Sequence, residues 1–168
     1  MVRQTIEGTA PALALVDQAG RPLTLHALRG KVVLLTFIYS TCADVCPLMT
    51  AAMIAMQHRL TAAERERIFF LSVTLDPEVD TPEVLGAYAH RHGADLTSWA
   101  FLTGSLQAMQ EVWQSFGLSI QRRAAGVVDH PSWTLLLDRE GLVRYRYLGS
   151  LLEGEVVLAD MRSLVEEP

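Results

Sequence analysis

The chain of 168 residues holds two cysteines, Cys42 and Cys46, in the run Thr41-Cys42-Ala43-Asp44-Val45-Cys46-Pro47. Thiolates are nucleophiles and soft metal ligands. A pair at this separation can converge on one soft cation or close into a disulfide. Two buried structural cysteines are the plain alternative, because free Cys also packs as a small hydrophobe. The neighbouring sequence favours chemistry. Residues 32–38 form an apolar, β-branched run that predicts a buried strand, and residues 48–60 predict a helix. The pair therefore falls at a strand-to-helix turn, where free N–H groups and the positive end of the helix dipole favour thiolates. Two helix starts are open. If the helix already includes Cys42, residues four apart share a face. If Asp44 is the N-cap, Pro47 falls at N3, where its missing N–H is an orphan in any case, and Cys42 precedes the helix.

The elements that must position this turn read as follows. Residues 13–16 and 23–25 flank Asp17-Gln18-Ala19-Gly20 and predict a hairpin, with Gly20 supplying a left-handed position. Residues 28–31 are a short connector. Residues 59–67 are charged and read as a solvated connection, and 68–73 as a second buried strand. Asp76-Pro77-Glu78-Val79-Asp80-Thr81-Pro82-Glu83 is a loop ending in a helix start, with Thr81 as N-cap and Pro82 at N1. That helix runs to His92 and stops at Gly93. Residues 99–102 are a short strand, 105–116 a helix, 121–128 a loop and 133–137 a strand. Asp138-Arg139-Glu140-Gly141 turns into a strand over 142–147, and a last helix covers 153–164. The order is that of an α/β, thioredoxin-like fold: a central mixed sheet flanked by helices, with an added N-terminal hairpin. It places Cys42 and Cys46 at the carboxyl end of a central strand, where open α/β sheets carry their sites. A thioredoxin redox motif has two residues between its cysteines. Here there are three, which widens the bite for a metal.

A third ligand must come from elsewhere. His26 and His58 read as surface residues. His90 and His92 end a helix, where a cation suits the dipole. His130 differs, because Val127-Val128-Asp129-His130-Pro131 feeds directly into the strand at 133–137, beside the cysteine turn in such a sheet. Asp129 is placed to orient an imidazole. Two thiolates and an imidazole make a soft set that suits Cu(I), and the nitrogen lets it hold Cu(II) as well. Structural zinc would want four protein ligands, and no second Cys/His pair stands at local spacing. Met49, Met53 and Met56 recur on one helix face, which reads as a core stripe.

Composition bounds the rest. Hydrophobic content of 50% and charged content of 20% describe one globular domain over residues 1–168. A net charge of −5 argues against nucleic acid or an anionic membrane surface as the main partner. No apolar run approaches the roughly 20 residues of a membrane span. Met1-Val2-Arg3-Gln4 opens no signal-peptide core, which leaves a cytosolic location or the loss of an export signal or anchor.

The chain resembles the Sco family, also called SenC/PrrC, copper-binding proteins of cytochrome c oxidase assembly. The similarity runs through residues 15–22, 30–35, 41–47, 76–83, 128–130 and 137–141. Cys-x3-Cys-Pro joined to Val-Asp-His is the specific part. The hairpin and strand patterns are shared with peroxiredoxin-like proteins. The resemblance implies a copper site, for Cu(I) and Cu(II), formed by Cys42, Cys46 and His130. It implies delivery of copper or electrons to the dinuclear copper centre in subunit II of the oxidase, with another periplasmic copper chaperone as a further partner. It also implies the periplasmic side of a bacterial inner membrane, reached through an N-terminal anchor, or the mitochondrial intermembrane space. Pro131 departs from the family, which often has Ser or Thr there, and restricts the backbone of His130. The metallochaperone competes with a thiol–disulfide oxidoreductase, in which one thiolate attacks a partner disulfide and the other resolves it. His130 separates the two, since an oxidoreductase needs no such histidine. In either case the redox-active pair is Cys42 and Cys46. The peroxidatic Pro-x3-Thr-x2-Cys pattern is absent before Cys42. Asp76 and Asp80 are candidates for shaping a partner-docking surface.

Overall fold

Val32–Ile38 is buried at all seven positions, as a strand covered on both faces must be. The computed structural model describes residues 1–122, 128–129 and 132–167. In chain order the elements are β1 (Val2–Thr9), β2 (Ala14–Val16), β3 (Pro22–Thr24), a 3-10 turn at His26–Leu28, β4 (Val32–Ile38), α1 (Val45–His58), α2 (Ala62–Arg67), β5 (Ile68–Thr74), α3 (Pro82–His92), β6 (Trp99–Leu102), α4 (Leu106–Ser115), β7 (Gln121–Arg122), β8 (Val128–Asp129), β9 (Trp133–Leu137), β10 (Leu142–Leu148) and α5 (Gly154–Glu166).

The main sheet has the order β1-β10-β9-β4-β5-β6. β4, β5 and β6 run parallel, while β9 runs antiparallel to β4 with Leu34 opposite Leu136. The carboxyl end of β4 therefore lies beside the amino end of β9, at a change of strand direction. Neighbouring strand residues face opposite ways, and Thr36 and Phe37 show what covers each face. Thr36 meets Met49 of α1, and Phe37 meets Phe116 at the end of α4. α1 packs against both α3 and α5. Trp99, Tyr88, Tyr147, Phe70 and Phe101 are among the largest fully buried side chains.

Several expected elements are present. The β2–β3 hairpin forms, with Gly20 at φ +74°. Thr81 caps α3 by accepting from the Val84 N–H, Pro82 sits in its first turn, and Gly93 ends it at φ +80°. Three expectations change. β1 was not visible in the sequence, because only Val2 and Ile6 of its eight residues are large and apolar. Its ladder with β10, not a hydrophobic pattern, defines it. Of the two possible helix starts, α1 takes the second, beginning at Val45 with Asp44 as N-cap and Pro47 at N3. The stretch read as a solvated connection contains α2. Its capping box joins Thr61 to Glu64: the Glu64 N–H donates to Thr61 Oγ1 at 3.2 Å, and the Thr61 N–H donates to Glu64 Oε2 at 2.7 Å. Within the expected loop 121–128, Gln121–Arg122 pairs antiparallel with Val128–Asp129.

The box gives a direct check. Thr61→Ala is expected to cost about 1 kcal/mol, seen as a lower urea midpoint with an unchanged slope.

Candidate metal and redox site

β4 ends at Ile38, and Tyr39-Ser40-Thr41 carries the chain over the edge of the sheet to Cys42. The Cys42 N–H donates to the Tyr39 carbonyl at 3.1 Å, which closes this turn. Asp44 holds the N-cap position of α1, yet its carboxylate makes no capping hydrogen bond. The sulfur of Cys42 takes that place. It accepts from the Cys46 N–H at 3.4 Å and also from the Asp44 N–H. The first-turn donors of the helix, orphaned by geometry, thus point at a sulfur.

Cys42 and Cys46 are both free thiols, buried to 7% and 2% exposure. They hydrogen-bond to each other, and this contact divides their acidities. At Cys42 burial alone opposes ionisation. Hydrogen bonds from Cys46, from two backbone N–H groups and from the Tyr39 side chain outweigh it, and the thiol is held below its ordinary value. At Cys46 burial dominates, reinforced by the contact with Cys42, and the pKa is pushed up to about 12. The expected consequence is ordered alkylation. Under limiting iodoacetamide Cys42 reacts first, and its rate levels off at a lower pH than that of a free cysteine, near 8.5. Peptide mapping after partial labelling reads the order; equal labelling of both thiols would contradict it.

The loop before α3 reaches the same place. Asp80, with 0% exposure, accepts from the Ser40 N–H at 3.1 Å and from the Ser40 hydroxyl. It also accepts from Thr74 Oγ1 at 2.6 Å. The Asp76 N–H donates to Thr74 Oγ1 at 2.9 Å, and Asp76 keeps 4% exposure. This corrects the docking-surface expectation: neither carboxylate is at the surface. Glu78, Val79 and the cap residue Thr81 are the exposed residues of the loop. Sequence reasoning missed the role of Asp80 as a clamp on Ser40, two residues before Cys42. Its Asp-Pro-x2-Asp spacing was the available signal.

Tyr88 of α3 places its hydroxyl 2.9 Å from Thr50 Oγ1 on α1. Burial pushes its pKa up to about 12, with the charges of the nearby cysteines adding to the effect. The methionine stripe is core. Met49, Met53 and Met56 are buried, and Met49 Sδ accepts from Thr36 Oγ1 at 2.8 Å, facing the sheet.

His26, His58 and His90 are exposed, and the His92 ring lies tilted against that of Tyr88, with centroids 4.3 Å apart. His130 lies outside the described residues, so the structure brings together Cys42 and Cys46 alone of the three expected ligands. Among the described residues no cluster of three potential ligands forms. The flanking chain is described on both sides. Asp129 pairs with Gln121. Trp133 starts β9 with its ring 5.1 Å from that of Phe37, at the end of the sheet where the cysteine turn stands.

A mixed sheet with a pair of free cysteines at the end of its central strand defines a thioredoxin-like protein of α/β class. More narrowly, the chain belongs to the SCO1/SenC family, whose profile matches residues 4–166. It is 32% identical over 112 residues to a putative copper-binding protein of Stutzerimonas stutzeri, covering 67% of this chain and 53% of that one. A SCO1/SenC family lipoprotein from Bacillus anthracis superposes with a TM-score of 0.86 at 29% identity, covering 99% of this chain and 100% of that one. BsSco, a Sco-family cytochrome c oxidase assembly protein with a disulfide switch, superposes with a TM-score of 0.83 at 27% identity, over 98% of each chain. Among the described residues no helix is long and apolar enough to cross a membrane.

Proposed function

We propose that this protein binds copper through the thiolates of Cys42 and Cys46, with His130 as the third donor. The observation that carries this is the sulfur pair itself: two free thiols in mutual contact at the helix start, within a SCO1/SenC chain. The donor set fits the cargo. Two thiolates suit Cu(I), and an imidazole extends the range to Cu(II). Backbone N–H groups already aimed at Cys42 would fix a metal-bound thiolate in place. The start of β9 beside Phe37, three residues after His130 in sequence, supports His130 as the third donor.

The copper is passed to the dinuclear centre in subunit II of cytochrome c oxidase, and a second periplasmic copper chaperone supplies it. The family likeness to BsSco supports the oxidase as destination. The site of action is the periplasmic face of a bacterial inner membrane, with the protein anchored there. The similar B. anthracis protein is a lipoprotein, which supports this location. Glu78 and Val79, exposed on the loop clamped to the cysteine turn, are the contact points offered to a partner. Titration of the reduced protein with copper is expected to saturate at one ion per chain with a thiolate-to-Cu(II) absorption band. Saturation without such a band would overturn the proposal.

One observation favours a second reading, reduction of a partner's disulfide. Cys42 is the more acidic and Cys46 the more deeply buried thiol. That is the division between an attacking and a resolving thiol.

A further inference from the structure

We infer that the buried carboxylate of Asp80 sets the balance between the two copper oxidation states, biasing the site toward Cu(II) through its charge. The inference rests on the copper reading of Cys42 and Cys46 given above. Its starting point is geometric. Asp80 has no exposed surface, and its oxygens accept from the Ser40 N–H, the Ser40 hydroxyl and the Thr74 hydroxyl. Both oxygens of the carboxylate receive donors, which fixes the group in place. The clamp fixes it against the turn that leads to Cys42, and its field reaches the Cys46 sulfur.

Charge then decides the direction. Two thiolates and Cu(II) form a neutral unit when the third donor is a neutral imidazole. Two thiolates and Cu(I) form a unit with one net negative charge. A fixed negative charge nearby leaves the first nearly unaffected and raises the energy of the second. Asp80 and both cysteines are buried, so solvent screens this interaction less than it screens one between surface charges. No electron passes through Asp80. The one electron that converts Cu(II) to Cu(I) comes from an external one-electron donor, and Asp80 alters only the energy of its arrival.

Asp80 is a positioning residue by its clamp and a tuning residue by its charge, and two variants separate these roles. Asp80→Asn keeps the shape and removes the charge. Its amide oxygen still accepts from the Ser40 N–H, and its NH2 group donates to the Thr74 hydroxyl. Ser40→Ala removes one hydrogen bond and keeps the charge. The experiment titrates wild type and both variants with Cu(I) and Cu(II) against competing chelators, and measures the midpoint potential of the bound copper. In Asp80→Asn the ratio of Cu(I) to Cu(II) affinity is expected to rise about tenfold, given a charge interaction in a partly screened site. For one electron that is a potential about 59 mV more positive. Ser40→Ala should leave the potential near wild type. An unchanged ratio in Asp80→Asn, or an equal shift in both variants, overturns the inference while leaving the copper site intact. Wild-type protein that binds neither ion would overturn the copper reading itself.

Discussion

Oxidation of Cys42 and Cys46 to a disulfide is expected to abolish tight copper binding, and reduction to restore it. The disulfide removes two anionic ligands at once and leaves a single imidazole. Losing even one outlying partner of a metal ligand costs about 10–100-fold in affinity, so loss of both thiolates should exceed the upper end of that range. The two thiols are free and lie four residues apart at the start of α1, where the Cys46 N–H already donates to the Cys42 sulfur. The measurement is a copper titration of matched reduced and oxidised samples, followed by re-reduction of the oxidised one. Equal binding by both forms would place the metal elsewhere, for instance on the exposed histidines. The same result would remove the basis for redox-controlled release, in which disulfide formation expels the cargo.

Replacement of His130 is the second large effect. Imidazole nitrogen is a harder donor than thiolate, so its loss should weigh more on Cu(II) than on Cu(I). Cu(I) can stay bound between two thiolates in near-linear geometry. In His130→Ala, Cu(II) affinity is expected to fall by about 10–100-fold or more, at least the scale seen when a partner that only orients a metal ligand is lost, and the thiolate-to-copper absorption should change. Cu(I) affinity should fall less. Thiol–disulfide exchange by Cys42 and Cys46 should largely persist, because it uses no histidine. Paired titrations and an exchange assay on the same samples check this. An unchanged Cu(II) spectrum would remove His130 from the site and favour the oxidoreductase.

What could be read in the sequence was local. The seven apolar residues of Val32–Ile38, the Thr81-Pro82 start and the Gly93 stop each carry their own physical cause within a few positions. So does the cysteine turn, whose place between strand and helix follows from its neighbours. What could not be read depended on distant partners. β1 is mostly exposed, and its backbone bonds to β10 define it. α2 carried a capping box, but its short charged sequence looked like a connection. The capping sulfur of Cys42 replaced an Asp44 side chain that local rules would have chosen. Asp80 looked like a surface charge, and only the fold reveals that Ser40 and Thr74 surround it. The chemistry-bearing residue types were therefore legible at Cys42 and Cys46, while the groups that tune them were not.

The identity of the atoms bound to copper is the most direct test. X-ray absorption at the copper edge, on reduced protein loaded with one equivalent of Cu(II), counts the sulfur and nitrogen neighbours of the ion. Two sulfur neighbours and a histidine nitrogen are expected, with the sulfur signal reduced in Cys42→Ser and in Cys46→Ser. A first shell without sulfur, or one unaltered by both substitutions, would contradict copper binding at the cysteine pair.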